Sequence, residues 1–113
     1  MNYVSEFLNG TWLQQAKEYL SNSEKMKELL KNVTDYVSKE GLSKVKDKLI
    51  LMYNFVADVI SGDYKDYSLS NLAIIVAALI YVVSPLDLVP DIIPIVGLVD
   101  EELAKYEEWK NKQ

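Results

Sequence analysis

The stretch from Asn71 to Glu101, NLAIIVAALIYVVSPLDLVPDIIPIVGLVDE, contains the longest apolar run of the chain and all of its prolines. Its first part, Leu72 to Val83, is apolar without interruption, which is typical of a helix buried on all sides. Three prolines follow within ten residues, and proline lacks the amide hydrogen that a helix interior requires. We therefore predict a buried apolar helix over about 70–83, followed by a proline-rich bend.

The second part of this stretch, SPLDLVPDIIPIVGLVDE (residues 84–101), resembles the signature of the YkvA-like family. This family consists of small bacterial proteins with a domain of unknown function, and its pattern is roughly sPiDLIPDfIPviGylDD. The resemblance covers about Val45 to Trp109 and is specific only in the bend, where the structural motif residues are Ser84, Pro85, Pro90, Pro94 and Gly97. Because the biochemistry of the family is open, the resemblance implies a fold and not a reaction.

The length and the residue pattern predict one all-α domain. A chain of 113 residues is long enough for one modest core and too short for two. No segment shows the convincing alternation of apolar and polar residues that would indicate a β-strand. Every glycine and proline falls at a predicted helix boundary or in the bend. We expect residues 1–113 to form a small bundle of four to six helices that ends in a C-terminal helix. Residues 1–44 form an N-terminal helical extension, and residues 45–109 form the YkvA-like region.

Local signals predict where the helices begin and end. Residues 1–20 predict two short helices or one kinked helix, because Asn9-Gly10 interrupts the helical spacing of their apolar residues. Ser21 and Glu24 fit a capping box that starts the next helix, which is expected to stop at Gly41. Further boundaries are expected at Ser43, Gly62, Ser68 or Ser70, and Asp100.

The composition excludes several classes of function. Cysteine and histidine are absent, which removes the usual zinc ligands, thiol chemistry and the usual general base. All twelve cations are lysine and the net charge is −5, so a nucleic-acid partner is not expected. The lysines are unevenly placed, since none falls between Lys65 and Lys105. The sequence favours a non-enzymatic protein without a cofactor, unless its acidic residues bind a cation.

The aspartates of the bend have a structural interpretation and a functional one. Ser84, Pro85 and Asp87 fit the first turn of a helix as N-cap, N1 and N3, and Asp91 and Asp100 fit the same role further on. The structural role is favoured because helix caps are common. In the alternative, the bend brings together oxygen ligands for Mg²⁺ or Ca²⁺ from Asp87, Asp91, Asp100 and Glu101.

The apolar helix also raises the question of a membrane. The twelve residues from Leu72 to Val83 span about 18 Å, which is short of a bilayer core of about 30 Å. Residues 72–99 together fit a re-entrant hairpin, and YkvA-like proteins are often predicted to be membrane proteins. We favour a soluble bundle, because the amphipathic helices at 23–40 and 43–61 need the apolar helix as their cover.

Three classes of function thus stay open: a non-enzymatic interaction or scaffold module, a membrane-associated protein, and a divalent-cation-binding protein. The expected partner is another protein or a membrane, and the expected state is a monomer or a dimer. The chain has no basic leader with a cleavage site, so a cytoplasmic or membrane-associated location is expected, and not secretion.

Overall fold

The computed structural model describes residues 11–39, 43–83 and 97–113. These residues form helices and turns and contain no strand, which confirms the predicted all-α bundle. The helices are α1 (Thr11–Leu20), α2 (Ser23–Lys39), α3 (Ser43–Ser61), α4 (Leu69–Val83) and α5 (Asp100–Asn111).

Helix α4 forms the centre of the core, as the apolar run predicted. It packs against α1, α2 and α3, and eight of its fifteen residues are buried. The buried residues fall on nearly every side of the helix, from Leu72 and Ala73 through Ile75 to Ile80. Each large aliphatic side chain removed from water in this way stabilises the fold by about 1.5–3 kcal/mol. The surrounding helices are amphipathic, so α4 is the surface on which their apolar faces meet.

The start of α2 differs from the prediction by one residue. The side-chain Oδ1 of Asn22 accepts hydrogen bonds from the amides of Glu24 at 3.1 Å and Lys25 at 3.2 Å. Asn22 is therefore the N-cap, and the capping box predicted between Ser21 and Glu24 is wrong. The hydroxyl of Ser21 instead donates to the carbonyl of Glu18 in the last turn of α1, at 2.9 Å. In the two-residue turn, Ser21 therefore forms a hydrogen bond to the C-terminal end of α1, and Asn22 caps the N-terminal end of α2.

The boundaries on either side of the loop at 62–67 were predicted correctly. Gly62 has a φ of 86°, a left-handed conformation that suits glycine at the end of a helix. The amides of Gly62 and Asp63 donate to the carbonyls of Val59 and Asp58, which is the Schellman arrangement. At the start of α4, the hydroxyl of Ser68 accepts a hydrogen bond from the amide of Asn71 at 3.3 Å. Ser68, and not Ser70, is thus the cap of α4.

The last helix, α5, begins at Asp100 as predicted, but Asp100 does not cap it. Val99 occupies the N-cap position without a side-chain hydrogen bond, so this predicted role is wrong. Asp100, Glu101 and Glu102 form an acidic first turn, which the helix dipole favours. Val99, Leu103 and Tyr106 are buried and hold α5 against the bundle, where it packs on α3.

Several predicted features lie outside the described residues. They include the first ten residues, the stop at Gly41 and the bend with Ser84, Pro85, Asp87, Pro90, Asp91 and Pro94. Gly97 is the one structural motif residue within the described part, and it is exposed. The division at residue 44 stays a prediction, although Ala16 of α1 and Met26, Leu29 and Val33 of α2 belong to the same core cluster as α4.

Candidate functional site

The two predicted acidic ligands that the structure describes are Asp100 and Glu101. A carboxylate oxygen of Asp100 lies 3.4 Å from the ammonium of Lys48 on α3, and Glu101 is exposed. Asp87 and Asp91 lie outside the described residues. Within residues 11–39, 43–83 and 97–113, no group of three or more acidic side chains is placed to hold a metal ion. The Mg²⁺ or Ca²⁺ site stays a prediction, and Lys48 provides the cation that Asp100 lacks in its own part of the sequence.

Asp58, a carboxylate that no sequence pattern selects, connects α3 to α5. One of its oxygens accepts hydrogen bonds from the Tyr106 hydroxyl at 2.5 Å and from the Lys110 ammonium at 2.9 Å. Desolvation alone would raise the pKa of Asp58, but the hydrogen bonds from Tyr106 and Lys110 and the charge of Lys110 lower it below its ordinary value. Its side chain is only 15% exposed, so the contact is well shielded from water.

A second carboxylate, Glu102, is buried at the beginning of α4. It accepts a hydrogen bond from the backbone amide of Ser68 at 2.5 Å, and its other oxygen lies 3.3 Å from the ammonium of Lys105. Lys105 also approaches Asp66 at 3.6 Å. Glu102 therefore satisfies a free amide at the start of α4 and places negative charge at the positive end of that helix.

Aromatic rings fill the space around these two carboxylates. Phe55, Tyr64, Tyr106 and Trp109 lie with ring centroids between 5.0 and 5.9 Å apart in edge or tilted contacts. Burial raises the pKa of both Tyr64 and Tyr106, and the hydrogen bond to Asp58 raises the pKa of Tyr106 further. The Tyr64 hydroxyl is buried without a hydrogen-bond partner among the described residues. These groups hold α5 in place, and the raised pKa of Tyr106 together with the lowered pKa of Asp58 disfavours transfer of the Tyr106 proton to Asp58.

An apolar groove with a volume of about 650 Å³ lies between α1 and α4 and is hereafter called the α1–α4 groove. Its described lining residues come from one side of α1 and from the first two turns of α4: Leu13, Lys17, Leu20, Ser21, Leu69, Ser70, Ala73 and Ile74. Leu69 is 69% exposed, the highest exposure among the large hydrophobic side chains of the described residues. An exposed leucine beside other exposed aliphatic groups is typical of a surface that binds a ligand or a partner.

The polar side chains that line the α1–α4 groove are few: the ammonium of Lys17 and the hydroxyls of Ser21 and Ser70. Lys17 is exposed and forms no ion pair with another described residue. The backbone amides of Leu69 and Ser70, at the positive end of α4, donate to no acceptor within the described part of the chain. The groove therefore combines an aliphatic surface with one charged side chain among its described lining residues.

The predicted helical segment at residues 1–20 contains Leu13 and Leu20, but its sequence does not identify the groove. A signal is nevertheless present, because Lys17 lies four residues after Leu13 and three before Leu20, and thus places a charge on the apolar side of that helix. The other wall comes from α4, about fifty residues later, and no local pattern indicates that the two meet. A second groove of about 300 Å³ lies between α2 and α3, and no charged side chain is found among the described residues that line it.

Comparison with known proteins agrees with the resemblance in the bend. The model of a family described as "Protein of unknown function (DUF1232)" matches residues 71–101. The "Uncharacterized membrane protein YkvA" of Bacillus subtilis (strain 168) is 26% identical over 87 residues, which cover 66% of this chain and 82% of that protein. No solved structure matches the chain. The family match and this relative together support the assignment of residues 71–101 to a YkvA-like, DUF1232 region.

Proposed function

We propose that the protein is a non-enzymatic interaction module and that the α1–α4 groove is its docking surface. The observation that carries this proposal is the groove itself, about 650 Å³ in volume with Leu69 exposed on its wall. Ligand-binding clefts have volumes of about 300–1,000 Å³ and mostly apolar linings, and this groove fits both criteria. Uncovered apolar surface is unfavourable by about 25 cal/mol per Å², so a partner that covers it gains affinity.

The polar groups of the described structure support a binding role over a catalytic one. The groups with shifted pKa values are Asp58, Tyr64, Lys105 and Tyr106, and they belong to the contacts around α5. None of them lines the α1–α4 groove. The sequence also lacks histidine and cysteine, the residues that most often act as base or nucleophile near neutral pH.

A neutral apolar fluorophore such as Nile red tests whether the groove accepts an apolar partner. We expect saturable binding to the wild-type chain and at least a tenfold loss in Leu69→Glu, which places a charge on the groove wall. The matched control is Ile60→Glu, because Ile60 is 50% exposed on α3 and lies outside the groove. Equal binding by both variants, or no binding by the wild type, would overturn the proposal.

Membrane association is a second candidate, and the observation that favours it is the similarity to the Bacillus subtilis protein that is named a membrane protein. None of the described helices has the length and hydrophobicity needed to cross a bilayer. The first part of the predicted hairpin at 72–99 is covered by α1, α2 and α3, and residues 84–96 lie outside the described part. With a net charge of −5, the chain is expected to prefer neutral over anionic lipid.

Flotation with phosphatidylcholine vesicles tests this second candidate. Co-flotation that is lost in Leu69→Glu and kept in Ile60→Glu would support membrane binding through the α1–α4 groove. If the wild-type chain stays at the bottom of the gradient with phosphatidylcholine and with phosphatidylglycerol, membrane association is excluded for the chain alone.

A further inference from the structure

We propose that Glu102 of α5 is a positioning residue of the α1–α4 groove and holds its α4 wall in place without contacting the ligand. The Glu102 carboxylate binds the backbone amide of Ser68, and the next two residues, Leu69 and Ser70, line the groove. Glu102 is not among the described lining residues. This inference rests on the proposed function, since it names a residue that acts on the same groove.

The first turn of α4 is not fixed by burial. Ser68, Leu69 and Ser70 are all exposed, whereas Leu72 in the next turn is buried. Packing in the core therefore holds α4 from Leu72 onward, and its first turn depends on hydrogen bonds. Two of these bonds meet at Ser68, whose hydroxyl accepts from the amide of Asn71 at 3.3 Å and whose carbonyl accepts from the amide of Leu72 at 2.9 Å. The position of Ser68 thus determines where the Leu69 side chain lies on the groove wall.

The environment of Glu102 suits it to hold Ser68. Its side chain is only 4% exposed, and a buried carboxylate is costly unless it is paired and hydrogen-bonded. One oxygen accepts from the Ser68 amide at 2.5 Å, and the other lies 3.3 Å from the ammonium of Lys105, three residues later on α5. Lys105 also lies 3.6 Å from Asp66, in the segment that leads into α4. Each oxygen of the carboxylate therefore has a partner, and α5 anchors the exposed start of α4.

This anchor affects binding because it orders one wall of the groove before a ligand arrives. A wall that is already in place loses less conformational entropy on binding than a wall that the ligand must order. Without the bond to Glu102, the first turn of α4 is free to fray, and the ligand has to order Leu69 again. The coupling is reciprocal, so a ligand that packs on Leu69 also holds Ser68 against Glu102.

Titration of Glu102 variants with Nile red, at a temperature where circular dichroism shows each of them folded, tests the positioning role. Glu102→Met keeps the approximate volume of the side chain and removes the acceptor. We expect its affinity to fall by about two- to thirtyfold, the range for a residue that modulates a site without contacting the ligand. Glu102→Gln loses the same charge but keeps an acceptor oxygen, so it should recover most of the wild-type affinity. Tyr106→Phe weakens a different contact of α5 and should leave the affinity unchanged.

The results separate this inference from the proposed function. Unchanged affinity in Glu102→Met, or an equal loss in Glu102→Gln, would overturn the positioning role of the acceptor and leave the groove standing. A loss in Tyr106→Phe as large as that in Glu102→Met would show that Glu102 acts only through the stability of the fold, which also overturns the inference. Absence of Nile red binding by the wild-type chain would overturn the inference and the proposed function together.

Hydrogen exchange in the wild-type chain gives an independent result, which decides the matter where Glu102→Met does not fold. Saturation with dodecanol should slow exchange of the Ser68 amide, because the ligand and Glu102 stabilise the same turn. The amide of Asp63 is the control, since it donates to the carbonyl of Asp58 within the end of α3 and should keep its exchange rate. Exchange at Ser68 that saturation leaves unchanged, or slows no more than at Asp63, would overturn the inference.

Discussion

Asp58 joins the last turn of α3 to α5 through its backbone and its side chain. Its carbonyl accepts hydrogen bonds from the amides of Asp63 and Tyr64 and so closes α3. Its carboxylate accepts from Tyr106 and Lys110 on α5, 48 and 52 residues further along the chain. Local sequence patterns cannot select such a residue, because an aspartate near a helix end is ordinary and its partners are distant.

We predict that Asp58→Asn lowers the free energy of unfolding by about 1.5–3 kcal/mol at pH 7, the range for hydrogen bonds to a charged group. Because the folded-state pKa of Asp58 lies below its ordinary value of 3.8, the contribution is fully present above that value. It is lost as the pH falls through the lower folded-state pKa. Urea unfolding of both proteins at pH 7 and near pH 3 measures this difference.

The control for this prediction is Asp47→Asn, which removes an exposed carboxylate from the same helix. Its free energy of unfolding should stay within about 0.5 kcal/mol of the wild-type value. Equal effects of Asp47→Asn and Asp58→Asn at pH 7 would show that the bonds to Tyr106 and Lys110 contribute nothing specific.

Tyr64 and Tyr106 form a natural pair for a second test, since both are buried and in contact with each other. Tyr106→Phe removes the donor to Asp58, and we expect a loss of about 1–3 kcal/mol in stability. Tyr64→Phe removes a buried hydroxyl that has no partner among the described residues, so it should be neutral or stabilising. Thermal unfolding of both variants measures the contrast, and a larger loss for Tyr64→Phe would refute it.

At the scale of the elements, the turn between α1 and α2 shows why boundaries are harder to predict than helices. Ser21, Asn22 and Ser23 are all good capping residues, and the pattern Ser21 to Glu24 fits the capping box. The choice depends on how α1 ends, because the hydroxyl of Ser21 is engaged by the carbonyl of Glu18. Sequence patterns predict both helices. Which side chain caps the start of α2 depends on the three-dimensional path of the turn.

Asn22→Ala should destabilise the protein by about 1 kcal/mol, since it removes the acceptor for two amides of the first turn of α2. Ser21→Ala is the matched control and should have a smaller effect, because its hydroxyl contacts only a carbonyl at an exposed helix end. Chemical unfolding measures both. The assignment of the cap to Asn22 would fail if Ser21→Ala were the more destabilising of the two.

At the scale of the whole molecule, the apolar run at Leu72 to Val83 was sufficient to predict the core helix and the all-α class. The helices at 23–39 and 43–61 could be predicted from apolar residues at helical spacing, because this periodicity is a property of the local sequence. The contacts of Glu102 with Ser68 and the pairing of Lys48 with Asp100 were not predictable, since each joins distant parts of the chain. The α1–α4 groove belongs to this second group, because its two walls come from parts of the chain about fifty residues apart.

Methyl NMR during a titration with dodecanol tests the central claim most directly, because it shows where an apolar ligand binds. We predict saturable shifts at the methyl groups of Leu13, Leu20, Leu69 and Ile74, which line the groove. The exposed methyl groups of Ile60 on α3 and of Leu98 before α5 lie outside it and should not shift. Shifts of equal size at Ile60 and Leu98, or no saturable shift at the groove residues, would contradict the assignment of the α1–α4 groove as the docking surface.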